Sequence, residues 1–465
     1  MKKIYNLIAF SIFASAFGQI SIGNAFPFDV KTERDVKFVM PDSKTLYLQS
    51  AVYTDYPQDR KFYVRKFDNS NGSIIQEYNQ SYPGSDDRAA IYEYIGSFSS
   101  SQKVTFLNES RLGKAKKTDV YKTVFDKETS KFTSVLLGSY PFESMIKSGN
   151  TYIANSDNGK YAGVLYHSYD GRKAEKKLYL NILDTNSAEV VWSKDITLTD
   201  DSSMRCFAVS NSGNAIITRD PSDYKGSSKV IIISKEDQQE KTFEGDLIMY
   251  QPYLFSMGDK DYLFAFDAPN RSSKDYYANL LFYDLSEGQV ISNNTVNDYA
   301  NVKKPDAVLL RKIYYQNNQF QIFTESKYSV GTTKTGMFPE PIYTYGKSLA
   351  LALDETGKLV HRTSIGETPY ASGIDNYRSY GVLNIQGNYS INDEGGRVIN
   401  ELNSSDFKQT AKFVKNTDDK SLNFQIRLPH VLSYDNSTKT YYFLEIKDRE
   451  AYIVKASGYM KPEKK

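Results

Sequence analysis

One short pattern recurs along this chain and limits what it can fold into: an alternating apolar strand that ends on Asp, a polar turn, and a second strand. The copies are Phe62-Tyr-Val-Arg-Lys-Phe-Asp68, Val120-Tyr-Lys-Thr-Val-Phe-Asp126, Leu178-Tyr-Leu-Asn-Ile-Leu-Asp184, Leu280-Leu-Phe-Tyr-Asp284 and Leu349-Ala-Leu-Ala-Leu-Asp354, with a degenerate copy at Val230-Ile-Ile-Ile-Ser234. Alternation at period two puts every second side chain on one face of a sheet, so each copy reads as a strand rather than a helix. Successive turns lie about 58, 58, 50, 50 and 70 residues apart, near the roughly 40–50 residues of repeats built from four strands.

Further strand pairs fill the intervals. Asn150-Thr-Tyr-Ile-Ala-Asn-Ser-Asp-Asn158-Gly159-Lys-Tyr-Ala-Gly-Val-Leu-Tyr166 places Asn-Gly between two alternating runs, a strong hairpin signal, and Cys206 to Thr218 repeats the arrangement one unit later. Each pair precedes a marker hairpin, which gives four strands per unit. The expected fold is therefore all-β, a β-propeller of about seven four-stranded blades, in which each sheet covers the next because none can bury both faces alone. The expected blades run at about 33–82, 85–142, 145–198, 203–245, 247–300, 305–367 and 375–457. Asp35-Val-Lys-Phe-Val39 is a candidate to close the ring by completing the last blade. The marker aspartates are read as turn builders whose carboxylates accept backbone N–H bonds. Asp68-Asn-Ser-Asn-Gly72 departs from a calcium loop, because its Gly falls one place early and no Glu follows at the twelfth position.

The start of the chain, residues 1–18, has the form of a secretory signal peptide: Lys2 and Lys3, an apolar stretch from Ile4 to Phe17, and small residues before a cut at Gln19. A second possible cut follows Ala25. The mature chain is then one propeller domain over 19–457, with a disordered basic tail at 458–465, and an exported address: periplasm, outer surface or medium. No later apolar run approaches the roughly 18 residues of a spanning helix, so no membrane span is expected. The formal charge of +2 includes Lys2 and Lys3, so the remainder is balanced and lacks the basic footprint of a nucleic-acid binder. Cys206 is the single cysteine, which excludes an internal disulfide, and its apolar neighbours mark it as a core residue rather than a nucleophile.

Length is spent on the connections between second and third strands, all of which open on one face. These are Ser168 to Lys176, Arg219 to Gly226, Asp267 to Tyr277, and Ser326 to Tyr343. Insertions confined to one face mark the binding face of a repeat protein. The candidate binding residues are Tyr169, Arg172, Tyr224, Tyr276, Tyr277, Tyr328 and Tyr343, since Tyr offers rigid amphipathic contact area and Arg orients polar partners. Plain surface tyrosine is the competing reading in a chain with 38 of them.

Catalytic signals are thin. His167, His361 and His430 fall in different blades without metal-ligand spacing, and no G-x-S-x-G elbow, phosphate loop or cysteine cluster occurs. His167, at a strand end, is the one acid–base candidate, with a packed or exposed histidine as the competing reading. No catalytic residue, metal or cofactor is assigned.

Strands ending in Asp and followed by a Thr-Gly-Lys turn, as in Leu353-Asp-Glu-Thr-Gly-Lys-Leu359, resemble secreted propellers of the WD40-like and PQQ-like superfamilies. With the segment Ser379 to Ile385 and Asn392-Asp393, the chain also looks like exported Bacteroidota proteins. The Gly-His and Trp-Asp pairs of WD40 blades are absent, and Trp192 stands alone without the PQQ-like tryptophan motif, so no site residue carries over. Three functions stay open. One is a non-enzymatic exported propeller that binds a protein or glycan through its long-loop face. The others are a carbohydrate-active propeller enzyme with carboxylates at the channel, and a structural subunit of an envelope assembly.

Overall fold

Hydrogen bonding divides the strands of the computed structural model into eight antiparallel sheets. The structure describes residues 19–29, 31–39, 45–54, 56–84, 91–168, 176–198, 202–220, 227–243, 249–267, 279–296, 307–332, 341–366, 370–372, 380–393, 398–414, 426–447 and 449–457. Blades one to six lie at 33–81, 91–141, 150–198, 203–242, 249–295 and 307–366, blade seven at 381–414, and blade eight at 426–457. In blades one to seven, four consecutive strands pair in sequence order. The first strands of blades one to six meet their neighbours in turn, those of blades seven and eight also meet, and the first strand of blade eight returns to that of blade one. First strands therefore line the channel. Blades six and seven join through Tyr314 and Tyr389, whose ring centroids lie 5.2 Å apart.

The fold is thus a β-propeller of eight blades rather than about seven. The stretch 375–457, expected as one blade, holds two. Ring closure also differs: Asp35 to Val39 belongs to Glu33–Val39, the inner strand of blade one. The ring is closed by the start of the described chain. Gln19–Ile22 pairs with Glu450–Ser457 in the register Gln19 to Ser457 and Ile22 to Val454, and Phe26 pairs with Ala451. Phe26 and Phe28 are buried in a core shared by blade eight (Tyr442, Leu444, Ile446, Ile453) and blade one (Leu46, Leu48, Phe67).

The marker turns are built as the sequence predicts. Asp Oδ1 accepts a backbone N–H from Ser70 (2.6 Å, Asp68), Thr129 (2.9 Å, Asp126), Ser187 (2.8 Å, Asp184), Glu287 (3.0 Å, Asp284) and Lys358 (2.9 Å, Asp354). The N–H groups of Thr129 and Ser187 are the main reason that the carboxyls of Asp126 and Asp184 sit below the usual range. Four residues after Asp126 and Asp184 the chain turns left-handed at Ser130 (φ 56°) and Ala188 (φ 60°).

Each turn is also held by the blade before it. Lys122 of blade two donates to the Ala188 carbonyl of blade three. Lys194 of blade three donates to Asp237 of blade four (3.0 Å), Asn294 of blade five to Gly357 of blade six (2.6 Å), and Lys455 of blade eight to Ser70 of blade one (2.8 Å). These bonds tie the turn carbonyls of one blade to side chains of the blade before it, and that of Asp237 also accepts the Ser234 N–H of its own hairpin. Between blades, ring stacks supply the core. Phe62 of blade one stacks on Phe106 of blade two at 4.7 Å, and Tyr140 of blade two on Tyr166 of blade three at 4.4 Å.

Candidate functional site

Because strands alternate in direction, the connections from second to third strand and those between blades open on one face, while the short hairpins occupy the other. The inner strands of blades one to three, Glu33–Val39, Ile91–Ser99 and Asn150–Asn155, line a cavity of about 540 Å³. Its walls include Arg34, Asp35, Lys37, Tyr53, Glu93, Tyr94, Gly96, Ile153 and Asn155. Tyr53 follows Thr45–Val52 directly, so the cavity opens where blade one's long connection begins. The volume suits a small ligand or a few residues of peptide.

Two bulges shape it. The pairing slips between Arg34 and Lys37 in blade one and between Tyr94 and Gly96 in blade two. A bulge re-aims a side chain that would otherwise follow the pleat. Asp35 sits in the first slip at φ 51°, a left-handed conformation that Asp tolerates better than most residues. Its Oδ2 accepts hydrogen bonds from Tyr94 Oη and Ser97 Oγ across the blade boundary, and Lys37 Nζ lies 2.5 Å from Oδ1. Burial, then the Asp35 charge, raises the Tyr94 phenol well above its usual value, so the hydroxyl stays a donor. At Gly96 an added Cβ would come within 2.7 Å of Ile153 Cγ2, a measure of how closely blades two and three approach.

The far wall is an ion network. Arg111 Nη2 donates to Glu93 Oε2 at 2.8 Å and Arg111 Nε to Glu109 Oε1 at 2.7 Å, while Thr151 Oγ1 of blade three donates to Glu109. Burial pushes the Glu109 carboxyl up, against the pull of Arg111. On the side of Tyr53, the guanidinium of Arg60 lies 4.0 Å from the ring centroid, and its Nε donates to the Thr54 carbonyl at 2.8 Å.

On the hairpin face, blade three reaches across. Asp157, in its first hairpin, accepts a hydrogen bond from Tyr253 Oη of blade five at 3.1 Å and lies 3.8 Å from Lys312 Nζ of blade six. Asn211 of blade four bridges, accepting from Asn158 N at 2.9 Å and donating its own N–H to Ser256 Oγ of blade five at 3.1 Å.

Five candidate binding residues, Tyr169, Arg172, Tyr224, Tyr276 and Tyr277, lie outside the described residues. Tyr328 and Tyr343 are not in a loop. Gln319–Thr332 and Pro341–Asp354 continue as a long hairpin, in which Tyr328 pairs with Thr344 and Tyr343 with Ser329. Tyr370–Ser372 adds a strand beside Tyr343. Extending the ladder satisfies backbone groups that a loop would leave to water. The ring of Tyr328 lies against Gly346, where a Cβ would fall 2.8 Å from Cε2, so it packs on its own hairpin. The cavity residues Arg34, Asp35, Glu93 and Tyr94 were not among the sequence candidates. They come from separate blades, and the remaining sequence signal is weak: charged and aromatic residues on inner strands, where a half-buried pattern calls for apolar ones.

Burial pushes the Cys206 thiol up to about 12, and its sulfur lies 3.3 Å from the Pro252 carbonyl; the residue is half-buried rather than fully within the core. His167 is packed. Burial, with Lys176 and Arg219 alongside, pushes its imidazole down to about 4. The unfolded histidine binds its proton first as pH falls below about 6.5. Stability is therefore expected to drop between about pH 6.5 and 4, by up to about 3 kcal/mol. His167→Gln should flatten that slope in urea midpoints compared at pH 7 and 4.5; an unchanged slope places the titration elsewhere.

No family model matches the chain, and no curated protein matches it either. Among solved structures, it is similar to Sqt1 of Chaetomium thermophilum at 9% identity, covering 94% of this chain and 97% of that one with a TM-score of 0.41. The β-propeller domain of the Trilobed protease from Pyrococcus furiosus gives 10% identity, 84% and 98% coverage, and a TM-score of 0.35. For the Dos1 propeller the figures are 14%, 62% of this chain, 64% of that chain, and 0.35. These likenesses concern the propeller fold alone.

Proposed function

We propose that this chain is an exported, non-enzymatic propeller that receives a segment of a partner protein in the channel cavity and on the long-connection face around it. The observation that carries this reading is the cavity between blades one, two and three. Its charged and phenolic groups are fixed before any ligand arrives: Asp35 by bonds from Tyr94 and Ser97 that cross from blade two to blade one, and Glu93 by Arg111 within blade two. The alternative of glycoside hydrolysis needs one carboxyl as a proton donor and a second as base or nucleophile. Here Asp35 faces Lys37 at 2.5 Å and Glu93 faces Arg111 at 2.8 Å, each engaged in an ion pair.

The test is affinity capture from the envelope and medium of the source cells with the chain from Gln19, beside two variants. Asn155→Trp fills the cavity from an exposed position, and Tyr276→Ala with Tyr277→Ala alters the long connection between the second and third strands of blade five. A protein retained by the wild type and lost with Asn155→Trp, at unchanged melting temperature, is the expected result. Equal retention by all three removes the cavity from the partner surface, and retention of glycan alone changes the partner class.

A further inference from the structure

The two cations and two carboxylates that line the cavity are not paired one to one. Among the described residues, Lys37 is paired with Asp35, and Arg111 is shared by Glu93 and Glu109. The guanidinium of Arg34, which is half-buried, has the Lys31 carbonyl at 3.1 Å as its hydrogen-bond partner and no carboxylate among the described residues. Arg60, only 7% exposed, donates to the carbonyls of Thr54 and Tyr92 and stacks on Tyr53, again with no carboxylate among the described residues. The two guanidiniums share one neighbourhood with Asp35: burial raises the phenol of Tyr82, the charges of Arg60 and Arg34 oppose that rise, and the Asp35 charge adds to it. A buried cation without a counter-charge is costly, and the cost is relieved when an anion arrives beside it. A planar guanidinium fork suits the two oxygens of a carboxylate. Beside it, Ile91–Ser99 is the inner edge strand of its sheet, and among the described residues no strand pairs with its channel side, which is where an extended backbone can add.

We infer that the cavity takes an extended peptide by its carboxylate, with Arg34 as the anchoring residue and Arg60 adding positive potential behind Tyr53. This rests on the cavity being the partner site. The carboxylate comes either from a chain terminus or from an acidic side chain.

Calorimetric titration of the chain from Gln19 separates the cases. The probes are N-acetyl-tetraalanine with a free C-terminus, its C-terminal amide, an amidated N-acetyl tetrapeptide with one central Glu, and inorganic phosphate. One or both carboxylate peptides should bind, and the neutral amide and phosphate should not. Arg34→Ala should weaken binding by about ten-fold or more, as loss of a charge-assisted bond requires, with Arg34→Lys in between. Which carboxylate peptide binds identifies the source. No binding of either up to about 10 mM, equal binding of the amide, preference for phosphate, or full affinity in Arg34→Ala each overturns the inference. Asn155→Trp keeps the two claims apart. If it abolishes binding that Arg34→Ala leaves intact, the cavity stands and the carboxylate anchor falls; if neither variant matters, both fall.

Discussion

A chain that begins at Asp29 is expected to lose cooperative folding. It lacks Gln19–Ile22, the outer strand of blade eight, together with Phe26 and Phe28, which are 2% and 3% exposed. Burial of each ring is worth about 1.5–3 kcal/mol, and the loss also uncovers the edge of Glu450–Ser457 to intermolecular pairing. Set against a total of about 5–15 kcal/mol for an ordinary domain, the loss of the two rings, about 3–6 kcal/mol, is a large share. Urea titration and gel filtration of chains starting at Gln19, Phe26 and Asp29 provide the check. The chain from Phe26, the product of the second possible cut, keeps both rings and should fall in between. A midpoint for the Asp29 chain that matches the Gln19 chain removes the N-terminal segment from ring closure.

Arg65→Met should be the most damaging single substitution in blade one. Arg65 and Glu33 are each 3% exposed, and their bonds are bidentate: Nη1 to Oε2 and Nη2 to Oε1, both at 2.9 Å. Nε donates to Glu77 at 2.8 Å. Removing the cation strands the carboxylate of Glu33 in the interior, at a cost of about 3–5 kcal/mol. The signature is a reversed pH response. An unpaired buried carboxyl titrates above its normal range, so the variant should gain stability as pH falls from about 7 to 5, where the stranded group takes up a proton. Adding Glu33→Gln should recover much of the loss at neutral pH. Additive damage in the double variant shows that the two residues are not coupled.

Much of this ring was legible because the marker turn is local chemistry. An Asp that accepts N–H groups two to four residues ahead must stand at a fixed place after its strand, so blades one to six could be drawn from sequence. Blade seven escaped because Asn403 stands where Asp is expected. Its Oδ1 accepts the Ser405 N–H at 2.7 Å, and the chain turns left-handed four residues on, at Phe407 (φ 55°). Val398-Ile-Asn-Glu-Leu402 before it was the available clue. Blade eight could not show a marker turn after its third strand, since the fourth comes from the other end of the chain. The site was less legible still. Alternation reports which face of a strand is buried, but not which strands of different blades meet at the channel. Asp35 lies beside Tyr94 because two bulges coincide, and the residues at them, Asp35 and Gly96, do not by themselves show that the bulges meet.

Ring closure also sets an order of events. The first strand of the described chain has no partner until the last one exists, because Ile22 pairs with Val454 and Gln19 with Ser457. Joining segments roughly 430 residues apart carries a loop-closure penalty of about 5 kcal/mol in a flexible chain. That penalty shrinks as the blades between them fold and bring the two ends together. If each blade docks on the one already made, the ring is sealed in a final step that needs both ends at once. A chain still threading through a translocation channel, with its last strand on the near side, would reach the far side as an open arc. Sealing would then wait for release, and the completed ring would exist only where the whole chain had arrived.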